Sequence, residues 1–323
     1  MKKNRILNVI CITIALFVLI GCGKHTNSIQ HEYLSASECA ETLTSLDTYY
    51  NNISQKCLAF FMQEKGADVE QYIEHSANQA RDFSEEEKKL LDKTIESIEE
   101  KMDKAGMKLP KNASVSIAKT TMNEALGAAG YTHGTTIFLC EEVIKRCLED
   151  EVHYKDYLEE LVAHELFHCL TRNNPEFRKE MYSFIGFTVT DSEFDIPEDV
   201  HKLMISNPDV GHHDSYATFT IDGEKKNCFL VFLSENNFEN PGDSFFESMY
   251  TGLVDIEDGT LYSYKDASDF YDVVGYNTNY CEDPEECMAT NFSYAIVYGI
   301  EGPDKQGYKT PEIIEKIISY MQN

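Results

Sequence analysis

The stretch His164-Glu165-Leu166-Phe167-His168 constrains this chain more than any other. Residues four apart on an α-helix sit one turn above each other on one face. Two imidazoles so placed can bind one Zn²⁺, and the carboxylate of Glu165 lies close enough to take a proton from a water on the metal. The preceding residues, Asp156-Tyr157-Leu158-Glu159-Glu160, favour a helix. Leu158, Val162, Leu166 and Cys169 fall on the side away from both histidines and give that helix a face to bury. Asn173-Asn174-Pro175 supplies its stop. The competing explanation is a helix that carries two histidines by accident. Uncharged Val162, Leu166, Phe167 and Cys169 count against it, because a helix holding a buried metal cannot place charges around its ligands.

The first residues read as an address. Met1-Lys2-Lys3-Asn4-Arg5 is basic, and Ile6–Ile20 is an apolar run. That run is short for a membrane span, which needs about 20 residues, and suits a signal segment. It ends in Leu19-Ile20-Gly21-Cys22, which resembles the bacterial lipobox, where cleavage precedes a cysteine that receives lipid. The expectation is a signal peptide over 1–21, lipidation at Cys22 and an extracytoplasmic protein on the bacterial cell surface. An ordinary signal peptide or an uncleaved anchor is the alternative.

Charge narrows the partners. The formal net charge is −28, and loss of Lys2, Lys3 and Arg5 with the signal takes it to −31. Such acidity argues against nucleic acid and against electrostatic attachment to anionic lipid. Cysteine usage stays open. Beyond Cys11 and Cys22 the chain has Cys39, Cys57, Cys140, Cys147, Cys169, Cys228, Cys281 and Cys287. An even number in an exported chain invites disulfides, yet eight cysteines allow 105 pairings. Cys140 and Cys147 can pair only across a turn, since seven residues of straight helix span about 10 Å.

Residues 22–83 are expected to form a polar tether, to about residue 32, and a helical region. Leu43, Leu46, Tyr49 and Tyr50 give the stretch from Ser35 to about Lys65 a helical pattern. Residues 84–323 are expected to form the main domain. Ser84 and Glu87 make a capping box, and Leu91, Ile95, Ile98 and Met102 form a stripe ending at Gly106. Ser114–Ala118 and Thr135–Leu139 read as strands, separated by a region punctuated by Gly127, Gly130 and Gly134. Past the motif, Tyr216–Ile221 and Cys228–Leu233 read as a hairpin around Asp222-Gly223, with Lys225 and Lys226 lengthening its loop. Leu253–Ile256 and Thr260–Tyr262 flank a second Asp-Gly turn. Pro311–Met321 closes the chain as a helix with an apolar face.

The order long helix, strands, motif helix resembles the upper lobe of zincin metallopeptidases. The resemblance implies an α+β, zincin-like fold: a small mixed sheet, a backing helix, the His-Glu-x-x-His helix and a helical lower lobe, preceded here by an N-terminal helical extension. The metzincin pattern is excluded, because Thr171 and Asn174 stand where it needs glycine and histidine. A glutamate from a downstream helix is the other common solution. Asp283-Pro284-Glu285-Glu286-Cys287-Met288-Ala289-Thr290-Asn291-Phe292 resembles the second helix of gluzincins, with Glu286, Ala289 and Phe292 matching the lethal-factor-like Glu-x-x-Ala-x-x-Phe spacing. Bacterial lipoproteins carrying His-Glu-Leu-Phe-His and Pro-Glu-Glu show a more distant likeness. The resemblance spans Ala113 to Gly299, on roughly fifteen motif residues.

It implies a zinc site of His164, His168 and Glu286, with Glu165 as general base and Tyr280, six residues before Glu286, as a donor to the oxyanion. In thermolysin-type members an acid four residues after the ligand orients a zinc histidine; Thr290 stands there. Helix capping is the plain explanation for Asp283-Pro284-Glu285-Glu286. Against it, Glu286 shares a polar stripe with Thr290 and Ser293, whereas Glu285 falls on the apolar face with Met288, Phe292, Ala295 and Ile296. His212-His213-Asp214 hints at a second metal but follows Asn207-Pro208-Asp209 in an evident loop. The expected function is zinc-dependent hydrolysis of peptide or protein substrates by a membrane-anchored enzyme. The alternative is a non-catalytic cell-surface binding lipoprotein with a structural or vestigial zinc site. A transporter's substrate-binding lipoprotein would need alternating α/β units, which are not seen.

Overall fold

Capping signals set where the long helices begin. In this computed structural model, which describes residues 27–45, 49–50, 53–235, 249–303 and 306–323, helices and strands are numbered in chain order. The signal segment, Cys22 and Leu46 lie outside the described residues. Ser84 opens the long backing helix α4 (Glu85–Ala105): its hydroxyl accepts from Glu87 N while its own N–H donates to the Glu87 carboxylate at 2.6 Å. Leu91, Ile95, Ile98 and Met102 are buried on its inner face. Gly106 ends it at φ +71°, a conformation that costs glycine little.

The motif helix α6 (Glu151–Asn173) follows α5 (Glu141–Glu149) after a break at Asp150, whose side chain accepts from His153 N. Pro175 then opens α7 (Pro175–Ser183), so the chain stops and turns where the sequence indicates. Leu158, Val162, Leu166 and Cys169 are all buried. Each large apolar side chain among them contributes about 1.5–3 kcal/mol by leaving water. Phe167 closes the far side of the helix against Phe177 and Phe292, with ring centroids 5.9 and 5.2 Å away.

Above α6 lies a mixed five-stranded sheet. The two predicted strands, β3 (Ser114–Thr120) and β5 (Thr136–Cys140), are parallel neighbours. Strand β4 (Gly130–His133) runs antiparallel on β5 and forms one edge. Strand β1 (Gln30–Tyr33) adds in parallel on the other side of β3, and β2 (Ala80–Arg81) pairs antiparallel with the end of β3. Residues 27–33 are therefore docked, where the sequence reads as tether. Asn27 is buried, and its amide donates to Asp103 Oδ1 at 2.7 Å and Met107 O at 2.8 Å. Strand pairing, which needs only backbone groups, holds a segment that has no apolar pattern of its own. The helical stretch after it is not one helix. It comprises α1 (Ala36–Thr44) and α2 (Gln55–Met62), each with its own serine cap, followed by α3 (Val69–Ala77).

The remainder combines helices with an antiparallel sheet of β6 (Thr188–Val189), β7 (Ser215–Ile221), β8 (Glu224–Ser234), β9 (Met249–Asp255) and β10 (Leu261–Ser263). The β7–β8 connection is tighter than predicted. Asp222 and Gly223 alone make the turn, both at positive φ as a type I′ turn requires, and Lys225 and Lys226 belong to β8. Short helices α8 (Glu198–His201) and α9 (Phe270–Val274) lead to α10 (Pro284–Val297) and α11 (Pro311–Met321). Helix α10 packs along α6, also touches α4, where Lys101 donates to Val297 O at 3.0 Å, and is buried over most of its length. The architecture is mixed α+β, with the motif helix between a backing helix, a small mixed sheet and a second buried helix. No helix among the described residues is long and apolar enough to cross a membrane.

Candidate metal centre

Helix α6 carries His164 and His168 on one face, with ring centroids 4.9 Å apart. Helix α10 brings Glu286 against them. Glu286 Oε2 lies 3.0 Å from His164 Nε2 and 3.9 Å from His168 Nε2. The three ligand atoms all fall within 4.8 Å of one another. Four ligands at 2.0–2.1 Å around a tetrahedral ion sit about 3.3 Å apart, so the observed separations bracket what zinc needs. Capping does not account for Glu286. Asp283 caps α10 by accepting from Glu285 N at 2.9 Å, and the other oxygen of Glu286 accepts from Asn207 Nδ2 at 2.6 Å.

One atom is the most telling for a cation. His168 is wholly buried, and its Nε2 has no hydrogen-bond partner. Its other nitrogen, Nδ1, donates to Glu285 Oε1 at 2.9 Å. That bond fixes the tautomer: Nδ1 carries the proton and Nε2 presents a lone pair. Glu285 is itself held by the hydroxyls of Thr171, at 2.6 Å, and Tyr182. Glu285 thus lies on the buried face, as its position in the helix predicts, but orients a histidine there. The acceptor role that the resemblance placed at Thr290 falls to Glu285.

Glu165 is buried beside the histidines. Its Oε2 accepts from the Thr132 hydroxyl at 2.6 Å. Its Oε1 lies 3.1 Å from where a Cβ on Gly130 would stand, so glycine there leaves room for the carboxylate. Asp209 enters from the loop after α8. It accepts from Thr132 N at 2.6 Å, its carbonyl accepts from Arg172 at 3.0 Å, and it groups with Glu165 and His168 within 4.8 Å. Tyr280 is two-fifths exposed, with its ring 6.4 Å from that of His164.

The charge balance is the clearest physical feature. Glu165, Asp209, Asp283, Glu285 and Glu286 are all buried here with two imidazoles among them. Burial, and then Asp209, push Glu165 up to about 8; burial likewise raises Asp209 to about 6. Burial alone would lower both histidines, but Glu286 at His164, and Asp209 with Glu285 at His168, more than offset it and hold both above the ordinary value. Buried carboxylates in such excess retain protons unless a cation is among them. Two nitrogens and an oxygen are a borderline-soft donor set that suits Zn²⁺ better than Mg²⁺ or Ca²⁺. The residues present fit that ion.

The sequence reading missed Thr132, Gly130, Asn207, Asp209 and the supporting roles of Glu285, Thr171 and Tyr182. A signal existed only for Glu285: a ligating histidine needs an acceptor on its second nitrogen, and an acid beside the third ligand is an obvious source. His212 lies apart from this centre. Its Nδ1 is 2.6 Å from Glu193, and with Asp214 they form a second, exposed group. No protein-family model matches the chain, and neither the curated proteins nor the solved structures contain a match.

Proposed function

We propose that this chain is a zinc-dependent peptidase of gluzincin type, held outside the cytoplasm by a lipid on Cys22. The observation that carries the reading is the unpartnered, buried Nε2 of His168 beside His164 Nε2 and Glu286 Oε2. His164, His168 and Glu286 would hold the ion. When bound, Zn²⁺ supplies Lewis-acid chemistry, acidifying a water and polarising a carbonyl. Thr132 fixes one oxygen of Glu165, and the other accepts the proton of the attacking water and passes it to the leaving amine. A base whose proton affinity is already raised suits that task, and a dication beside it restores its ionised form. Glu285 keeps His168 in the metal-binding tautomer. Tyr280, whose ring lies 6.4 Å from that of His164, would donate to the developing oxyanion.

Closed structural zinc sites usually have four protein ligands. Here three groups converge, while Asp209 groups with Glu165 and His168 instead. That arrangement supports an open coordination position and the enzyme over the binding lipoprotein. The test is a broad peptide library incubated with the zinc-loaded chain. Cleavage should stop with a chelator and return with zinc; chelator-insensitive cleavage, or none, would refute the peptidase reading. Cys22→Ala should abolish fatty-acid labelling, and persistent labelling would remove the anchor.

A further inference from the structure

Two of the eight described cysteines face each other. The Sγ atoms of Cys281 and Cys287 lie 3.1 Å apart, about 1 Å beyond the S–S bond length of ~2.05 Å. Both residues are buried, at 2% and 1% exposure. Like Cys39 and Cys57, whose sulfurs face the carbonyls of Lys119 at 3.8 Å and Met204 at 4.0 Å, each also lies near a backbone carbonyl, Cys281 near that of Thr278 and Cys287 near that of Val274, both at 3.7 Å; what sets this pair apart is the closeness of its two sulfurs. A thiol is a weak donor and a weak acceptor, so two facing thiols gain little from each other. Their placement favours a bond between them.

The location gives that bond a consequence. Cys281 directly follows Tyr280 in the loop that leads to α10, and Cys287 directly follows Glu286 in that helix. The front of the loop is already tied down. Asn277 donates to Asn291 Oδ1 at 2.9 Å and to Thr310 O at 2.8 Å, and accepts from Thr310 N. Its second half is held by less: Thr251 donates to Cys281 O at 3.1 Å, and Tyr280 N donates to Thr278 Oγ1 within the loop.

We propose that Cys281 and Cys287 form a disulfide in the folded, exported protein, and that this bond fixes the Tyr280 segment to the turn of α10 that carries Glu285 and Glu286. Its oxidant is a disulfide donor of the compartment. One cysteine attacks the donor as thiolate to give a mixed disulfide, and the other displaces the donor's second thiol. The two cysteines lose two protons and two electrons, and the donor disulfide becomes two thiols. Both sulfurs are buried once the loop closes, so exchange takes place during folding, and the finished bond is shielded from reductants. The proposal rests on export to an oxidising compartment and is independent of the metal reading.

The wild-type chain tests it. The protein is folded with glutathione disulfide as donor, free thiols are blocked with iodoacetamide, and the unreduced chain is digested with trypsin. The peptide spanning 266–305 should be two hydrogens lighter than its sequence and carry no label. Cleavage after Glu282 should then leave two pieces joined until a reductant parts them. Label on both cysteines, or either one joined to a different partner, overturns the proposal. The positioning half has its own readout. Cys287→Ser should raise the rate of limited proteolysis within 275–283 on the order of tenfold, because local opening of the segment becomes easier. An unchanged rate, with the wild-type bond demonstrated, would show that the disulfide does not fix the loop.

Discussion

Among the described residues, histidine and carboxylate approach metal-ligand spacing at two places. In the interior, His164, His168 and Glu286 converge; at the surface, Glu193, His212 and Asp214 do. By spacing the two groups are alike. They differ in what surrounds them. At the surface, the Asp214 carboxylate is already engaged by Arg178 through two bonds, at 2.8 and 2.5 Å, and His212 and Glu193 are exposed to water. Nothing there needs a cation. In the interior the carboxylates are buried, His168 Nε2 lacks a partner, and Glu285 aims that nitrogen. The two groups even share a structural chain. Arg178, paired with Asp214, stacks 4.7 Å from the Tyr182 ring, whose hydroxyl holds Glu285. The surface group thus supports the interior one, and burial with an oriented lone pair, not spacing, marks the interior cluster as the candidate metal centre.

The largest expected effect separates chemistry from binding. Glu165→Gln should lower peptide hydrolysis by a factor on the order of 10² or more while zinc stays near one equivalent. Full activity in the zinc-loaded variant would remove the general base.

Next comes the oriented histidine. Glu285→Gln should weaken zinc binding by roughly 10–100-fold, read by competition with a chromogenic chelator, because His168 loses its charged acceptor. Unchanged affinity would mean that the interior group is no better ordered than the surface one.

The smallest effect is on stability. Asp209, at about 6, and Glu165, at about 8, sit above the ordinary carboxyl values of 3.8 and 4.5. Groups raised on folding contribute stability that is fully present below their unfolded values and lost as pH rises through the folded ones. The metal-free protein should therefore melt lower at pH 8 than at pH 6. Zinc binds deprotonated ligands more tightly over the same window, so the gap in Tm between loaded and metal-free protein should widen. A gap that narrows from pH 6 to 8 would contradict the excess of buried negative charge.

Much of this could be read from the sequence, and the failures have physical causes. The motif helix, its stop at Asn173-Asn174-Pro175, the Ser84–Glu87 cap and the closing helix all come from local signals that packing then reinforces. Strand β4 has no such signal. Gly130-Tyr131-Thr132-His133 is short and has little alternation, and pairing with β5 makes it a strand. Thr132 was therefore invisible as a partner of Glu165. Asn207-Pro208-Asp209 reads as a turn and is one, yet Arg172 holds the carbonyls of Pro208 and Asp209, and the side chains of Asn207 and Asp209 come beside the centre. That Glu286, and not Glu285, approaches the Nε2 atoms of both histidines was readable from helix periodicity. What Glu285 does was not, because its partners Thr171 and Tyr182 lie on two other helices.

The most direct test of the central claim is anomalous diffraction at the zinc edge, from crystals of the chain grown with one equivalent of Zn²⁺. The account predicts a single strong peak bonded to His164 Nε2, His168 Nε2 and Glu286, with no peak at Glu193, His212 and Asp214. A peak at the surface group with none between the buried residues, or an interior peak that Glu286 does not touch, would contradict it.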